Sequence, residues 1–482
     1  MNKPNILWIC TDQQRFDTLG CYGNPFVTTP HLDGLAAGGV QFDAAYCQNP
    51  VCTPSRSSFL TGRYPRTTGA RENGQAINPT EVLVTRLLAD AGYDCGLAGK
   101  LHIHPCNPEV CTDREPRIDD GYREFHWSHH HSTTLDWSGD DYARWLTGQG
   151  QAIVHEPVEG SQEVCFTVDE EYHQTTWCID RAIDMIERHA DDDQPWLFSV
   201  NTFDPHHGFD APRKYLQPYL DRLDDISLPA YTPGELDAKP FFHRVSHEGA
   251  YGCPGVMAYD AMSDREHRLI RAAYWAMCDL IDAQVGRAIA ALDRTGQRDD
   301  TIVIFHADHG ELLGDHGMYL KGPVFYEPAV RPPLIMNMPG TIVAGERSRA
   351  LVEFVDIAPT LLTAAGLDVH PGMQGKSLWP LLTGQADLHT HRASVYSESY
   401  NSIPRRHTAP AYATMVRTER YKLTCYHGRG EGELYDLSDD PGEVTNLWAS
   451  PAHRDVREAM MLTLADRLAF TMDPLPERLS SW

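Results

Sequence analysis

Four short apolar runs, each ending in ionisable side chains, constrain this chain more than any other feature. Residues 5–11 run into Asp12, 93–98 into Lys100 and His102, 195–203 into Asp204, His206 and His207, and 301–305 into Asp308 and His309. Runs of this length and composition read as buried strands. The stretches between them, such as 81–91 and 268–292, place apolar residues at helical spacing. Strand and helix in alternation specify an α/β fold: a large, mostly parallel or mixed central sheet flanked by helices. Sites in such sheets form beyond the carboxyl ends of the strands. A single His or Asp after a strand is ordinarily a turn residue; four polar clusters in matching positions point to one shared site.

Beyond the helix-like stretch 355–365 the pattern changes. Residues 366–375 are rich in turn formers, and 394–398, 413–417, 421–426 and 433–437 read as short strands before a final helix at 451–472. The expected organisation is an N-terminal catalytic domain over 1–379 and a smaller α+β subdomain with a short antiparallel sheet over 380–482. No internal repeat is evident, and the nearest approach to low complexity is the His-rich stretch 125–131.

The stretch Asn49-Pro50-Val51-Cys52-Thr53-Pro54-Ser55-Arg56, continued by Leu60-Thr61-Gly62-Arg63, is the most specific segment. Pro54 suits the first turn of a helix, which puts Cys52 at a helix N-terminus where free N–H groups and the macrodipole favour negative charge. The segment resembles the sulfatase signature, C-x-P-S-R followed by L-T-G. The resemblance continues in order through Thr11-Asp12-Gln13-Gln14, Thr29-Pro30-His31-Leu32-Asp33, Gly99-Lys100-Leu101-His102 and Asp204-Pro205-His206. It resumes at Ala307-Asp308-His309-Gly310-Glu311, Gly314-Asp315-His316-Gly317 and Leu320-Lys321-Gly322, then at Tyr421-Lys422-Leu423, Glu433-Leu434-Tyr435-Asp436-Leu437, Asp440-Pro441 and Asn446-Leu447. The chain is identified on these residues as similar to the type I sulfatases of the alkaline-phosphatase-like superfamily.

The resemblance implies hydrolysis of an organic sulfate monoester. Cys52 is then oxidised by a formylglycine-generating maturation enzyme, and the hydrated aldehyde, a geminal diol, supplies the nucleophile: one hydroxyl attacks sulfur and displaces the alcohol, and the other expels sulfate. The resemblance also implies one divalent metal held by Asp12, Gln13, Asp308 and His309 beside residue 52. Oxygen-rich ligation suits Ca²⁺ or Mg²⁺, and the imidazole also admits Mn²⁺. Lys100 and Lys321 match the sulfate-binding lysines, Arg56 the residue that holds the diol, and His102 the histidine that helps collapse the intermediate. His206 matches the proton donor to the leaving alcohol; His207 follows it, and His206 is preferred because it directly follows Pro205. Many relatives carry a second Asp in place of Gln13 and Asn in place of His309. Phosphonate monoester and phosphodiester hydrolases of the superfamily share the cysteine signature and are similar at both positions, so that activity is the alternative. A non-catalytic binding protein retaining the fold would be signalled by loss of Cys52, Asp308 or Lys321, and all three are present.

Arg71, Glu72, Asn73, His104, His207, Arg331 and the histidines of 126–131 are candidates to face the alcohol portion, since substrate loops lie above the strand ends. Trp127 and Trp137 read as core and residues 191–193 as a solvated loop. Composition narrows the partners. With 41 Lys+Arg against 67 Asp+Glu the net charge is −26, which disfavours nucleic acid and long polyanionic polymers and fits a small mono-sulfated substrate. No segment reaches the ~18 apolar residues of a membrane span. The first apolar run is too short for a signal sequence, and the twelve cysteines are irregularly spaced with no CxxC pair. A cytoplasmic protein is therefore expected, with a homo-oligomer left open.

Overall fold

The computed structural model describes residues 3–130, 137–401, 410–476 and 480. Its centre is an eight-stranded mixed sheet. In chain order the strands are β1 (Asn5–Thr11), β2 (Val40–Phe42), β3 (Asp94–Gly99), β4 (Glu124–Trp127), β5 (Trp196–Asn201), β6 (Thr301–Ala307), β7 (Leu334–Asn337) and β8 (Glu346–Ser348). Across the sheet they lie in the order β8-β2-β7-β6-β1-β5-β3-β4. The five from β6 to β4 are parallel, while β7 pairs antiparallel with both β6 and β2.

The apolar runs are continuous because both faces of the sheet are covered. Leu7 and Ile9 of β1 pack with Cys178, Ala182 and Met185 of α2 (Gln174–Arg188) and Ile281 and Val285 of α3 (Asp264–Arg294). On the other face, Ile6, Trp8 and Cys10 meet Phe59 of α1 (Cys52–Thr61) and Leu361 of α4 (Ile357–Ala364). Alternate residues of one strand thus feed two cores. The cysteines singled out by apolar surroundings, Cys10, Cys95, Cys178 and Cys278, are all buried free thiols.

A second, antiparallel sheet of β9 (Val395–Tyr400), β10 (Tyr412–Arg417), β11 (Tyr421–Tyr426) and β12 (Glu431–Asp436) carries α5 (Arg454–Phe470) on one face through Val416, Leu423, Leu434, Met460 and Leu464. Most boundaries shift by a few residues from the sequence reading, and one of the shifts has a local cause. The helix expected from residue 81 begins at Val84, because Asn78 Oδ1 accepts the Thr80 N–H at 3.1 Å and Glu81 is held in an ion pair with Arg63 at 3.0 Å.

Strand register places the site. β1 and β6 pair from Asn5↔Thr301 to Thr11↔Ala307, so Asp12 and Asp308 both emerge one residue past the end of that pairing. β3 ends at Gly99, opposite Asn201 of β5, and Lys100 follows directly. Gly99 is required there: its φ is +103°, and a Cβ would lie 1.9 Å from the Asn201 carbonyl oxygen.

Candidate active site

Cys52 is the first residue of α1, every residue of which is buried. Val51 supplies no side-chain cap, and Asn73 Oδ1 takes the Thr53 N–H at 3.0 Å, leaving the helix start facing the strand ends. Around Cys52 Sγ lie Lys321 Nζ at 3.0 Å, His309 Nε2 at 3.2 Å and Asp12 Oδ1 at 3.6 Å. Arg56, one turn further along α1, donates from Nε to Asp308 Oδ2 at 2.8 Å and from its terminal nitrogens to the Lys100 carbonyl at 2.7 Å and Asp12 Oδ2 at 3.5 Å. Lys100 is ion-paired to the same Asp12 oxygen. Lys321 Nζ also reaches Gln13 Oε1 at 2.5 Å, His206 Nε2 at 3.2 Å and His309 Nε2 at 3.3 Å.

The electrostatics follow from three buried cations meeting two carboxylates. Burial opposes ionisation of Asp12, but Lys100, Arg56 and Lys321 prevail and hold it well below the usual carboxylate range. Burial and Asp12 likewise oppose ionisation of Cys52; Lys100, Lys321 and His309 outweigh them and bring the thiol down to about 5. His102 and His206 are also lowered, well below the ordinary imidazole value, by burial and by neighbouring cationic groups, which keeps both rings neutral. His309 Nδ1 bonds the Gly310 carbonyl at 2.8 Å and so donates there, which aims Nε2 at the cluster. Burial and Lys321 oppose its ionisation, but Asp308 and Cys52 outweigh them and raise the imidazole above its ordinary value. His206 Nδ1 is tied in the same way to the His207 carbonyl, leaving its Nε2 towards Lys321.

The donor set fits a cation. Ligand atoms of Asp12, Cys52, Asp308 and His309 all lie within 4.8 Å of one another, all four residues are buried, and an ammonium, that of Lys321, already reaches Cys52, His309 and Gln13. Two carboxylates, an amide oxygen and one imidazole form a mainly hard set.

Of the residues singled out in the sequence, Asp12, Gln13, Cys52, Arg56, Lys100, His206, Asp308, His309 and Lys321 converge. His102 lines a cavity of about 500 Å³ together with Glu72, Asn73, Gln75, His129 and Trp137. Asn73 also bonds the start of α1, as above. Arg71 is exposed beside Glu72, and His104 is half-buried with its N–H on Glu115 at 2.9 Å. His207 stacks on His206 with ring centres 4.0 Å apart, facing Tyr251 on its other side at 5.9 Å. Arg331 is engaged elsewhere, paired with Glu327 at 3.2 Å and laid over the Phe16 ring at 3.7 Å, so an approach to substrate is not what its contacts describe. Trp127 and Trp137 are buried, and residues 191–193 are exposed. His131 lies outside the described residues. A larger cavity of about 830 Å³, lined by Phe241, Arg244, Arg429 and Trp448, includes none of the convergent residues.

Two carboxylates were missed. Glu115 accepts the backbone N–H groups of His102 at 2.7 Å, Ile103 at 2.5 Å and His104 at 2.9 Å, and the indole N–H of Trp127 at 3.3 Å. Glu311 accepts from Leu313 N at 2.9 Å, from Leu320 N and from the Gln13 side chain. Each fixes a loop carrying site residues, and the left-handed backbone of Gln13, His102 and Leu320 (φ 64°, 56° and 62°) shows how closely these loops are held. Glu311 stood within a quoted motif without a role; Glu115 had no local signal.

Comparison with known proteins accords with this geometry. The family profile described as Sulfatase matches residues 4–367, and that of the N-sulphoglucosamine sulphohydrolase C-terminal region matches residues 314–469. An arylsulfatase of Clostridium perfringens is 29% identical over 466 residues, covering 94% of this chain and 92% of its own. The crystal structure of the phosphonate monoester hydrolase of Agrobacterium radiobacter superposes with a TM-score of 0.82 at 26% identity, covering 99% of this chain and 98% of its own. A structure of BT4656 in complex with its substrate D-glucosamine-2-N,6-O-disulfate superposes with a TM-score of 0.75 at 23% identity, covering 99% and 100%. The signature around Cys52, its buried cationic surroundings and a profile spanning most of the chain agree: this protein belongs to the sulfatase family of the alkaline-phosphatase-like superfamily and is a sulfatase enzyme.

Proposed function

We propose that the chain hydrolyses a small organic sulfate monoester at the strand-end cluster. The observation that carries this reading is the buried cluster in which Lys321 reaches the helix-terminal Cys52 while Lys100 and Arg56 pair with the adjoining Asp12, an arrangement suited to an anionic group whose charge grows in the transition state. Formylglycine derived from Cys52 by a maturation enzyme supplies a hydroxyl nucleophile when the modification is present. A divalent cation, Ca²⁺ by the hardness of the set with Mg²⁺ and Mn²⁺ as the other candidates, would be held by Asp12, Gln13, Asp308 and His309 beside residue 52 and would supply Lewis acidity there.

The chain's own groups divide the remaining work. Lys100 and Lys321 bind the sulfonyl oxygens, and Arg56 orients residue 52 while helping keep Asp12 ionised and pairing with Asp308. His102, held neutral, accepts a proton from the position-52 hydroxyl. His206 delivers a proton from Nε2 to the leaving oxygen. An anionic ester lodged beside Lys321 and His206 counters the burial and the neighbouring positive charge that keep this imidazole neutral in the free protein. The alcohol portion fits the cavity beside His102, whose polar lining, Glu72, Asn73 and Gln75, suits a hydroxylated group of sugar size.

A second reading, hydrolysis of a phosphonate monoester or phosphodiester, is favoured by Gln13 and His309 and by the likeness to the Agrobacterium radiobacter enzyme. Turnover of matched aryl sulfate and aryl phosphonate monoesters by the purified, modified enzyme separates the two. The sulfate is expected to be the better substrate by kcat/KM; a large preference for the phosphonate overturns the first reading. Metal analysis of that preparation, with a mass spectrum of the peptide containing residue 52, tests the cation and the modification.

A further inference from the structure

Strands β3 and β4 lie side by side and end in register, Gly99 opposite Trp127. The loop leaving β3 carries His102 and Cys106, and the loop leaving β4 carries His129. One ligand atom from each of these three residues lies within 4.8 Å of the other two. The imidazoles meet edge to face with ring centres 4.5 Å apart, and the Nδ1 atoms of both are buried without a hydrogen-bond partner among the described residues. Glu115 braces both loops at once through its bonds to the 102–104 backbone and to the Trp127 indole. Trp127 stacks on His129 and Trp137 packs against it edge-on, walling one side with apolar surface, while the other side opens into the 500 Å³ cavity.

We infer that His102, Cys106 and His129 form a zinc site separate from the cation centre at Cys52, and that zinc bound there inhibits the enzyme by withdrawing His102. Two imidazoles and one thiolate with a fourth position open to a cavity match the needs of Zn²⁺, whereas Ca²⁺ and Mg²⁺ require oxygen donors. On binding, the Cys106 S–H bond breaks, its proton passes to solvent and the sulfur lone pair forms the bond to zinc; nothing is oxidised or reduced. The binding claim stands on geometry alone, and its inhibitory consequence rests on the role proposed for His102.

The test reads the two separately. Full-length Cys52→Ser protein, which contributes no thiolate from the nucleophile position, is titrated with Co²⁺. A thiolate-to-cobalt charge-transfer band with the ligand-field bands of a four-coordinate ion is expected, and both are lost when either Cys106→Ser or His129→Ala is added. Two separate substitutions, each checked by circular dichroism, keep the test valid if one fails to fold. In the active holoenzyme with its resident cation in excess, Zn²⁺ is expected to inhibit reversibly. Cys106→Ser and His129→Ala, each normalised to its own zinc-free rate, are expected to raise the inhibitory zinc concentration by at least about tenfold. Absence of the cobalt band, or its survival in both substituted proteins, overturns the site. A correct band with unchanged zinc inhibition overturns the inhibitory role and counts against the assignment of His102, leaving the binding site standing.

Discussion

Two groups of buried charge in this molecule contain similar residues and do different things. At the strand ends, Arg56, Lys100 and Lys321 surround Asp12 and Asp308, and Lys321 also points at Cys52. Where the C-terminal sheet meets residues 327–330, Lys422 lies between Glu327 at 3.0 Å and Glu443 at 2.6 Å, with Arg331 on Glu327 and the Tyr46 hydroxyl donating to it at 2.7 Å. In the second group these bonds join protein to protein, and the result is a weld between sheets. In the first, the cations gather beside a sulfur atom that one of them, Lys321, reaches directly, which marks a place where charge is meant to change. A third arrangement completes the contrast. Asp279 and Asp282 on α3 are held by N–H and O–H donors, Thr28 N and Tyr219 Oη on one and Leu32 N and His31 N on the other, and burial pushes both up to about 7. Burial alone raises a carboxyl; burial among close cations, as at Asp12, lowers it.

The comparison can be broken at each point. The largest effect is expected from Cys52→Ala, which should abolish turnover while leaving the thermal transition intact; residual activity in a homogeneous preparation would remove Cys52 from its role. Lys321→Ala should lower kcat by roughly 10²–10³ with the fold retained, the usual cost of losing one preorganised donor to a developing anion. Lys422→Met should do the reverse. It strands Glu327 and Glu443 in the interior and should cost about 3–5 kcal/mol in denaturant unfolding, with kcat per folded molecule unchanged. A fall in kcat without a fall in stability would show that the weld belongs to the site.

The smallest effect concerns Asp282. Its folded-state value of about 7 exceeds the unfolded carboxyl value of about 3.9, so the native state is favoured while the group is protonated, and that advantage is lost progressively as pH rises between those two values. Asp282→Asn should therefore flatten the decline of Tm across this window, and an unchanged profile would place the cause elsewhere.

Much of this was legible in the chain. The strands at 5–11 and 421–426 were read to the residue because apolar runs covered on both faces, or paired between close turns, leave little choice. Cys52 through Arg63 announced itself because a helix start, a nucleophile and a cation are local in sequence. Glu115 and Glu311 were harder: each acts by accepting backbone N–H groups, a task with no residue pattern, and each is one acid among 67. Arg331 shows the opposite error. A cation near the site in sequence suggested substrate, whereas Glu327 and Phe16 had already claimed it. The antiparallel flank made by β7 escaped because a four-residue strand has too few positions to show a period.

Helix α1 is a strut pinned at both ends. Its first residue carries the nucleophile position, while the segment just past its last turn is gripped by distant parts of the chain: Arg66 by Glu398 of β9, the Tyr64 N–H by Gln374 and Arg63 by Asp473. Displacement of the C-terminal sheet would therefore be felt along the helix axis at Cys52. Lesions in residues 395–473 that never touch substrate belong, on this view, among those that misalign the chemistry, and a truncated chain that still folds its central sheet would hold its nucleophile on an untethered helix.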